Sequence, residues 1–294
     1  MARPRLERLR FLHGALNPDR PTRIVDIGAN PISPAPYNFL LNKGLAHVYG
    51  FEPQPEAYAK LLNDPHPNRT VLPYAVGDGT RATLHVCEAS GFTSLLEPNP
   101  EFHGYTGKYA AGMRVVDRFK VDTKRLDDIE DLDEFDLLKI DIQGGEAAVF
   151  EHGSRKISQA LMVYTEIAAI PLYKNQPLLD QQMSLLRGHG YHLLKFMFFK
   201  QVHLRRKAVM GLAKRISPSQ LIDGDAVFIR NLLSLNTLTS EQLKHLAILA
   251  ESVIQSHDLS LVAVEELVTR RDVPDDTLEG YRDVIRRTMP LTED

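Results

Sequence analysis

Between residues 23 and 230, short runs of aliphatic and β-branched residues alternate with stretches whose apolar positions recur at helical spacing. That alternation is the pattern of a parallel sheet built from βαβ units. "RIVDI" (23–27) reads as the first buried strand and "AHVYGFE" (46–52) as the second, with a helix between them stopped at Gly44. "PQPEAYAKLL" (53–62) opens the next helix, with Pro55 suited to its first turn. "TVLPYAVGD" (70–78) reads as a third strand, interrupted or edged by Pro73, which has no N–H for a ladder. "RATLHVCE" (81–88) and "MRVVDRFKVDT" (113–123) alternate polar and apolar residues, as antiparallel or edge strands do. "FDLLKIDI" (135–142) is a central strand and "ALMVYTEI" (160–167) the next, each followed by a helical pattern. "YHLLKFMFF" (191–199) and "DAVFIR" (225–230) finish the sheet.

The ends of the chain follow a different pattern. "MARPRLERLRFLHGAL" has four arginines but lacks the apolar stretch of a secretory signal, and Leu6, Leu9, Phe11 and Leu12 predict a short helix packing on the domain. Beyond about residue 235 the pattern is wholly helical, and "TSEQLKHLAILAESVIQ" opens with a capping box, Thr239-x-x-Gln242. The expected organisation is an N-terminal helical segment (1–22), a central domain (23–232) and a C-terminal helical appendage (233–294). The appendage would pack on the sheet or on a second copy of the chain, which would make a homodimer. A cationic insertion, "KQVHLRRKAVMGLAKRISPSQ", separates the last two strands and reads as a solvated face or an approach surface for an anionic substrate.

Composition narrows the class. With 43% hydrophobic and 25% charged residues the chain is of ordinary globular type, and a net charge of −3 lacks the basic footprint of a nucleic-acid binder. Its one cysteine, Cys87, excludes an internal disulfide and a multi-cysteine zinc site, and fits a reducing, cytoplasmic setting. No run approaches the ~18–20 apolar residues of a membrane span.

The turn after the first strand, "DIGANPIS", decides between cofactors. A dinucleotide site needs G-x-G-x-x-G, so that backbone can approach a pyrophosphate at a helix N-terminus. Only Gly28 is present, followed by Ala29, Asn30 and Pro31, which disfavours a nicotinamide or flavin dinucleotide. S-adenosylmethionine has no phosphate. It needs one close backbone approach, which Gly28 allows, and an acid for the ribose diol, which Glu52 supplies at the end of the second strand. Asp78, in "AVGD", is placed to meet the adenine amine. Asp26, Gly28, Asn30, Glu52 and Asp78 form the candidate cofactor set.

At these residues the chain resembles the FkbM family of S-adenosylmethionine-dependent methyltransferases. The matching segments run in the family's order over roughly residues 23–230, among them "VDIGAN", "VYGFEPQPEAYAKL", "YAVGDGTRATLHV", "FDLLKIDIQGGEAAVFEHG" and "DGDAVFIR". "LLKIDIQGGE" is the most specific of them. The resemblance implies a Rossmann-like class I methyltransferase fold, α/β, with a seven-stranded, mostly parallel sheet whose last pair is antiparallel. It also implies methyl transfer to an oxygen, often on a sugar, glycan or natural-product scaffold, so the expected partner is a small-molecule or glycan acceptor. Two departures stand out: Pro31-Ile32-Ser33-Pro34 follows Asn30 where the family usually has a further glycine, and Gln143 replaces a usual glutamate.

Methyl transfer to a hydroxyl needs the acceptor oxygen aligned with the methyl carbon and a base for its proton. Asp141 and Glu166 end the central strand and its neighbour, at the ligand edge of such a sheet, and are the candidate catalytic residues. Asp141 would orient a ligand, act as base, or hold a divalent ion together with Glu166. A metal is not favoured, since two acids are too few oxygen ligands, and no metal residue is assigned. Ser94, Tyr173 and His103 are further candidates for the acceptor pocket, and Cys87 reads as packing. The alternative reading is a non-catalytic cofactor-binding or assembly protein with the same fold.

Overall fold

A computed structural model of the chain describes residues 2–290, apart from 33, 107, 205 and 206. Helix α1 (Ala2–Leu16) leads into β1 (Thr22–Ile27), a single helical turn α2 (Asn38–Leu41), β2 (Ala46–Phe51), α3 (Pro55–Asn63) and β3 (Arg69–Leu72). A peripheral unit follows, with β4 (Ala75–Val76), β5 (Arg81–Cys87), α4 (Pro100–Thr106) and β6 (Val115–Lys124). The chain then returns through β7 (Leu137–Ile140), α5 (Glu146–His152), α6 (Ser154–Ile157), β8 (Met162–Ala168) and α7 (Leu179–Gly188). A hairpin of β9 (Tyr191–Val202) and β10 (Gln220–Arg230) precedes α8 (Ser240–Ser252), α9 (His257–Thr269) and α10 (Thr277–Thr288).

The main sheet has the order β3-β2-β1-β7-β8-β10-β9. Neighbours are parallel from β3 to β8, while β10 runs antiparallel to both β8 and β9. The chain winds outward from β1 in one direction and restarts at β7 in the other. The carboxyl ends of β1 and β7 therefore flank the crevice where open α/β sheets bind ligands.

Two expected elements turn out differently. Where a full helix is expected between the first two strands, only α2 forms; Pro31, Pro34 and Pro36 lack N–H donors and bias the preceding residues away from helical geometry. The run read as one third strand divides at Pro73. Arg69–Leu72 pairs with β2, whereas Ala75–Val76 turns away to pair with β6 in a separate sheet of order β4-β6-β5.

Strand alternation sends each side chain to one of two layers. Ile24, Leu137, Met162 and Val227 pack against Leu9, Leu12 and Leu16 of α1 and against Leu243, Leu246 and Leu249 of α8. Val25, Leu138, Val163 and Phe228 face the opposite layer, with Val149 and Phe150 of α5 and Leu186 of α7. The C-terminal helices thus cover one face of the sheet. The Thr239–Gln242 capping box forms as expected, with reciprocal hydrogen bonds of 3.2 and 2.9 Å. Glu251, fully buried on α8, accepts from Arg8 Nε (2.7 Å), His257 Nδ1 (2.6 Å) and the Tyr281 hydroxyl (2.7 Å), so one carboxylate joins α1, α9 and α10. Such a buried charge persists only with partners of this kind.

Candidate active site

Register places the polar residues of the sheet in two rows. Asp26 lies opposite Gly50 on one side and Lys139 on the other, and Lys139 lies opposite Tyr164. One pleat further toward the carboxyl edge come Glu52, Gly28, Asp141 and Glu166, with Asp225 of β10 directly opposite Glu166. A cavity of about 780 Å³ opens over this edge, within the usual range of small-molecule sites. Its walls include Asp26, Gly28, Asn30, Glu52, Lys139, Asp141, Tyr164 and Asp225. The proline-rich stretch after Asn30 and the segment around Ser94 contribute the facing wall.

Gly28 is required by its surroundings. Its φ is +85°, and a Cβ there would lie 2.0 Å from the Asp141 carbonyl oxygen, so no side chain fits between the first strand and the central one. Gly50 keeps a milder gap, where an added Cβ would meet Ala29 at 3.1 Å.

The charges on the first row balance internally. Asp26 accepts from the Tyr37 hydroxyl at 2.5 Å and pairs with Lys139 Nζ at 3.1 Å. Burial alone would lower the Lys139 pKa, but Asp26 and Asp141 outweigh it and hold the ammonium charged, above its ordinary value. Asp26 therefore lines the cavity with its carboxylate already engaged. Glu52 is less well satisfied: it accepts from the Gln54 N–H at 2.9 Å, and burial pushes it up to about 7.

On the second row Gln143 bridges two acids. It sits at φ +59°, and its amide nitrogen donates to Asp141 Oδ1 and Glu166 Oε2, both at 2.8 Å. The Tyr173 hydroxyl donates to its Oε1 at 3.0 Å, and the Ser94 hydroxyl to its backbone carbonyl at 2.8 Å. A glutamate at this position would place a third carboxylate between the two it now joins, so the glutamine is matched to its neighbours. Burial, then Asp141 and Glu146, hold Glu166 well above the usual carboxylate range. Glu146 is pushed up to about 7 by burial and accepts from the N–H groups of Ile142 and Gly144, which shapes the turn into α5.

The expected residues separate into two groups. Asp26, Gly28, Asn30, Glu52, Asp141 and Ser94 reach the cavity wall. Glu166 and Tyr173 are hydrogen-bonded to Gln143 and do not line it. Asp78 also stays away: because the third strand divides at Pro73, it belongs to the turn between β4 and β5. There its Oδ1 accepts from the Thr80 N–H and hydroxyl at 2.8 and 2.7 Å, which lowers its pKa. The side chain of His103 lies outside the described residues, as does Ser33. Among the described residues, no group of three or more His, Cys, Asp or Glu side chains is arranged to hold a metal ion.

Lys139, Tyr164 and Asp225 were not expected in the site. Lys139 had a signal, as a charge inside the apolar run "LLKI", where a buried lysine implies a buried partner. Tyr164 had none, because a tyrosine in a central strand reads as core. Asp225 lies in the family-like segment "DGDAVFIR", but only the antiparallel return of β10 brings it beside Glu166.

This strand order, closed by an antiparallel hairpin and carrying its cavity at the carboxyl ends of β1, β2 and β7, defines a Rossmann-like class I methyltransferase fold. The Methyltransferase FkbM domain matches residues 26–193, more than half of the chain, and the protein belongs to that family. The 2-O-methyltransferase NoeI of Sinorhizobium fredii is 28% identical over 176 residues, covering 55% of this chain and 70% of NoeI. Similar solved structures include magnesium protoporphyrin IX methyltransferase from Synechocystis, with 10% identity, 76% of each chain covered and a TM-score of 0.36. Another is precorrin-6y C5,15-methyltransferase from Geobacter metallireducens, with 10% identity, 76% of this chain and 87% of the other covered, and a TM-score of 0.35. No helix among the described residues is long and apolar enough to cross a membrane.

Proposed function

We propose that this methyltransferase uses S-adenosylmethionine to methylate a hydroxyl of a sugar-like acceptor. The observation that carries the reading is the shared cavity wall of Gly28, Glu52 and Asp141. Gly28 lets the turn after β1 close on the Asp141 carbonyl and so brings its own backbone and Asp141 to one wall, where Glu52 offers a carboxylate suited to a ribose diol. Asn30 would complete the turn around the cofactor. The cofactor supplies a methyl group on positively charged sulfur. The chain's own part would be to hold the acceptor hydroxyl in line with that methyl group and to take up its proton. Asp141 is the residue assigned to that proton, because it lines the cavity and Gln143 holds one of its oxygens in place. Hydroxyl rather than nitrogen transfer is favoured by the carboxylate-rich wall and by the named activity of NoeI.

Isothermal titration with S-adenosylmethionine tests the cofactor, and formation of S-adenosylhomocysteine with a panel of hexoses, deoxyhexoses and N-acetylhexosamines tests the transfer. Asp141→Asn keeps the shape and removes the charge. It should lower turnover by about 10²-fold or more, the usual scale for loss of a general base, with cofactor affinity nearly unchanged. Failure of the unmodified protein to bind the cofactor would overturn the reading, and normal turnover by Asp141→Asn would move the base elsewhere.

A further inference from the structure

We propose that Asp225, oriented by Tyr164, binds a second acceptor hydroxyl beside the one that is methylated, so that the site selects acceptors with neighbouring hydroxyl groups. The inference rests on the methyl-transfer reading above. It begins from the shape of the cavity, which continues past Asp141 to Tyr164 and Asp225, on the far side from Glu52 and Gly28. If a nucleoside is held over β1 and β2, the part of the cavity over β7, β8 and β10 is left for the acceptor.

The two carboxylates at that end differ in access. Glu166 and Asp225 are directly opposite each other on β8 and β10 and both half-buried, yet only Asp225 lines the cavity; Glu166 instead accepts from the Gln143 amide. Asp225 is half-buried, and the Tyr164 hydroxyl donates to its Oδ2 at 3.0 Å. The other oxygen has no hydrogen-bond partner among the described residues. Tyr164 itself is anchored in the sheet, directly opposite Lys139, so its phenol fixes the carboxylate from a rigid base. A carboxylate held by one oxygen presents the second to a ligand at little further entropic cost.

The charge of this site chooses the ligand. Burial, and then Asp141, push Asp225 up to about 6, while the Tyr164 hydrogen bond and Lys139 oppose the rise. Near neutral pH it is thus ionised and accepts hydrogen bonds without donating any. An acceptor carrying a carboxylate or phosphate at this point would be repelled. One with a single hydroxyl could satisfy Asp141 but would leave the second Asp225 oxygen desolvated and without a donor. A vicinal diol supplies a donor to each. A site that loses an expected hydroxyl discriminates strongly, because its own polar group is then left unpaired.

The test compares methyl glycosides with their monodeoxy analogues, each analogue lacking one hydroxyl next to the methylated position. The unmodified protein should favour the diol by about 10- to 100-fold in kcat/KM. Asp225→Asn should bring that ratio to within about threefold while leaving S-adenosylhomocysteine affinity unchanged, and Tyr164→Phe should reduce it partially. Titration of the same glycosides into protein saturated with S-adenosylhomocysteine should show the matching loss of affinity without any turnover. Full discrimination retained by both variants would overturn the assignment of Asp225 and leave the methyl-transfer reading standing. Cofactor binding with no product from any glycoside would instead sink the sugar-hydroxyl reading, and this inference with it.

Discussion

Glu52 sets a residue's burial against its charge. The residue is 5% exposed and its carboxyl is pushed up to about 7, so between roughly its unfolded pKa and pH 7 the folded chain holds a proton that the unfolded chain has released. The folded state binds more protons there, and stability from this residue is present at low pH and is lost as pH rises through 7. Glu52→Gln should therefore stabilise the cofactor-free protein at pH 8 by on the order of 1–3 kcal/mol and flatten its pH dependence. With Glu52 holding the ribose diol as proposed, the same change should weaken S-adenosylmethionine binding by tenfold or more. Urea unfolding at pH 5 and pH 8, with titration of the cofactor, checks both halves. Glu146 and Asp225, raised to about 7 and 6, act in the same direction, so some slope should remain in the variant. Identical pH profiles for the two proteins would mean that Glu52 is not the source. Glu52 was legible in the sequence as an acid ending a strand, but the conflict it carries was not, because burial depends on what packs over it.

The divided third strand shows how one element decides whether a residue joins the site. Read as a continuous strand ending in "AVGD", the segment delivers Asp78 to the ligand edge; split at Pro73, it delivers Asp78 to a turn on the peripheral sheet. There the carboxylate accepts two hydrogen bonds from Thr80, and Arg125 Nε donates to the Asp78 backbone carbonyl at 2.7 Å. Asp78→Ala should leave S-adenosylmethionine affinity within about twofold and lower stability by about 1 kcal/mol, the scale of an ordinary hydrogen bond. A large loss of affinity in titration would return Asp78 to the cofactor site. The shortened segment between β1 and β2 has the opposite effect: prolines that prevent a helix leave an open loop, and the cavity gains a wall from it.

At the scale of the whole molecule, the C-terminal helices behave as a layer of the domain. Leu243, Leu246 and Leu249 are buried against the sheet, and Glu251 joins three other helices through Arg8, His257 and Tyr281. Removing residues 235–294 would expose that sheet face and strand Arg8 without its partner. A chain ending at residue 234 should aggregate or lose cooperative unfolding, as light scattering and thermal denaturation would show. A soluble truncated chain that unfolds cooperatively and still binds S-adenosylmethionine would mean that the helices merely decorate the fold.

Local pattern alone determined the α/β class, the buried strands, the capping box at Thr239, the Gly28 turn and the family resemblance. These depend on residue spacing within a few positions, and side-chain periodicity records such spacing directly. Tertiary structure decided which of several acids face a ligand. Asp141 and Glu166 end neighbouring parallel strands in the same way and both accept from Gln143 in its left-handed turn, yet only the first lines the cavity. Asp225 and Tyr164 meet only because β10 inserts antiparallel beside β8. Alternation along a strand tells which face a residue occupies; which residue stands next to it depends on strand order, and that is fixed by packing between segments far apart in the chain.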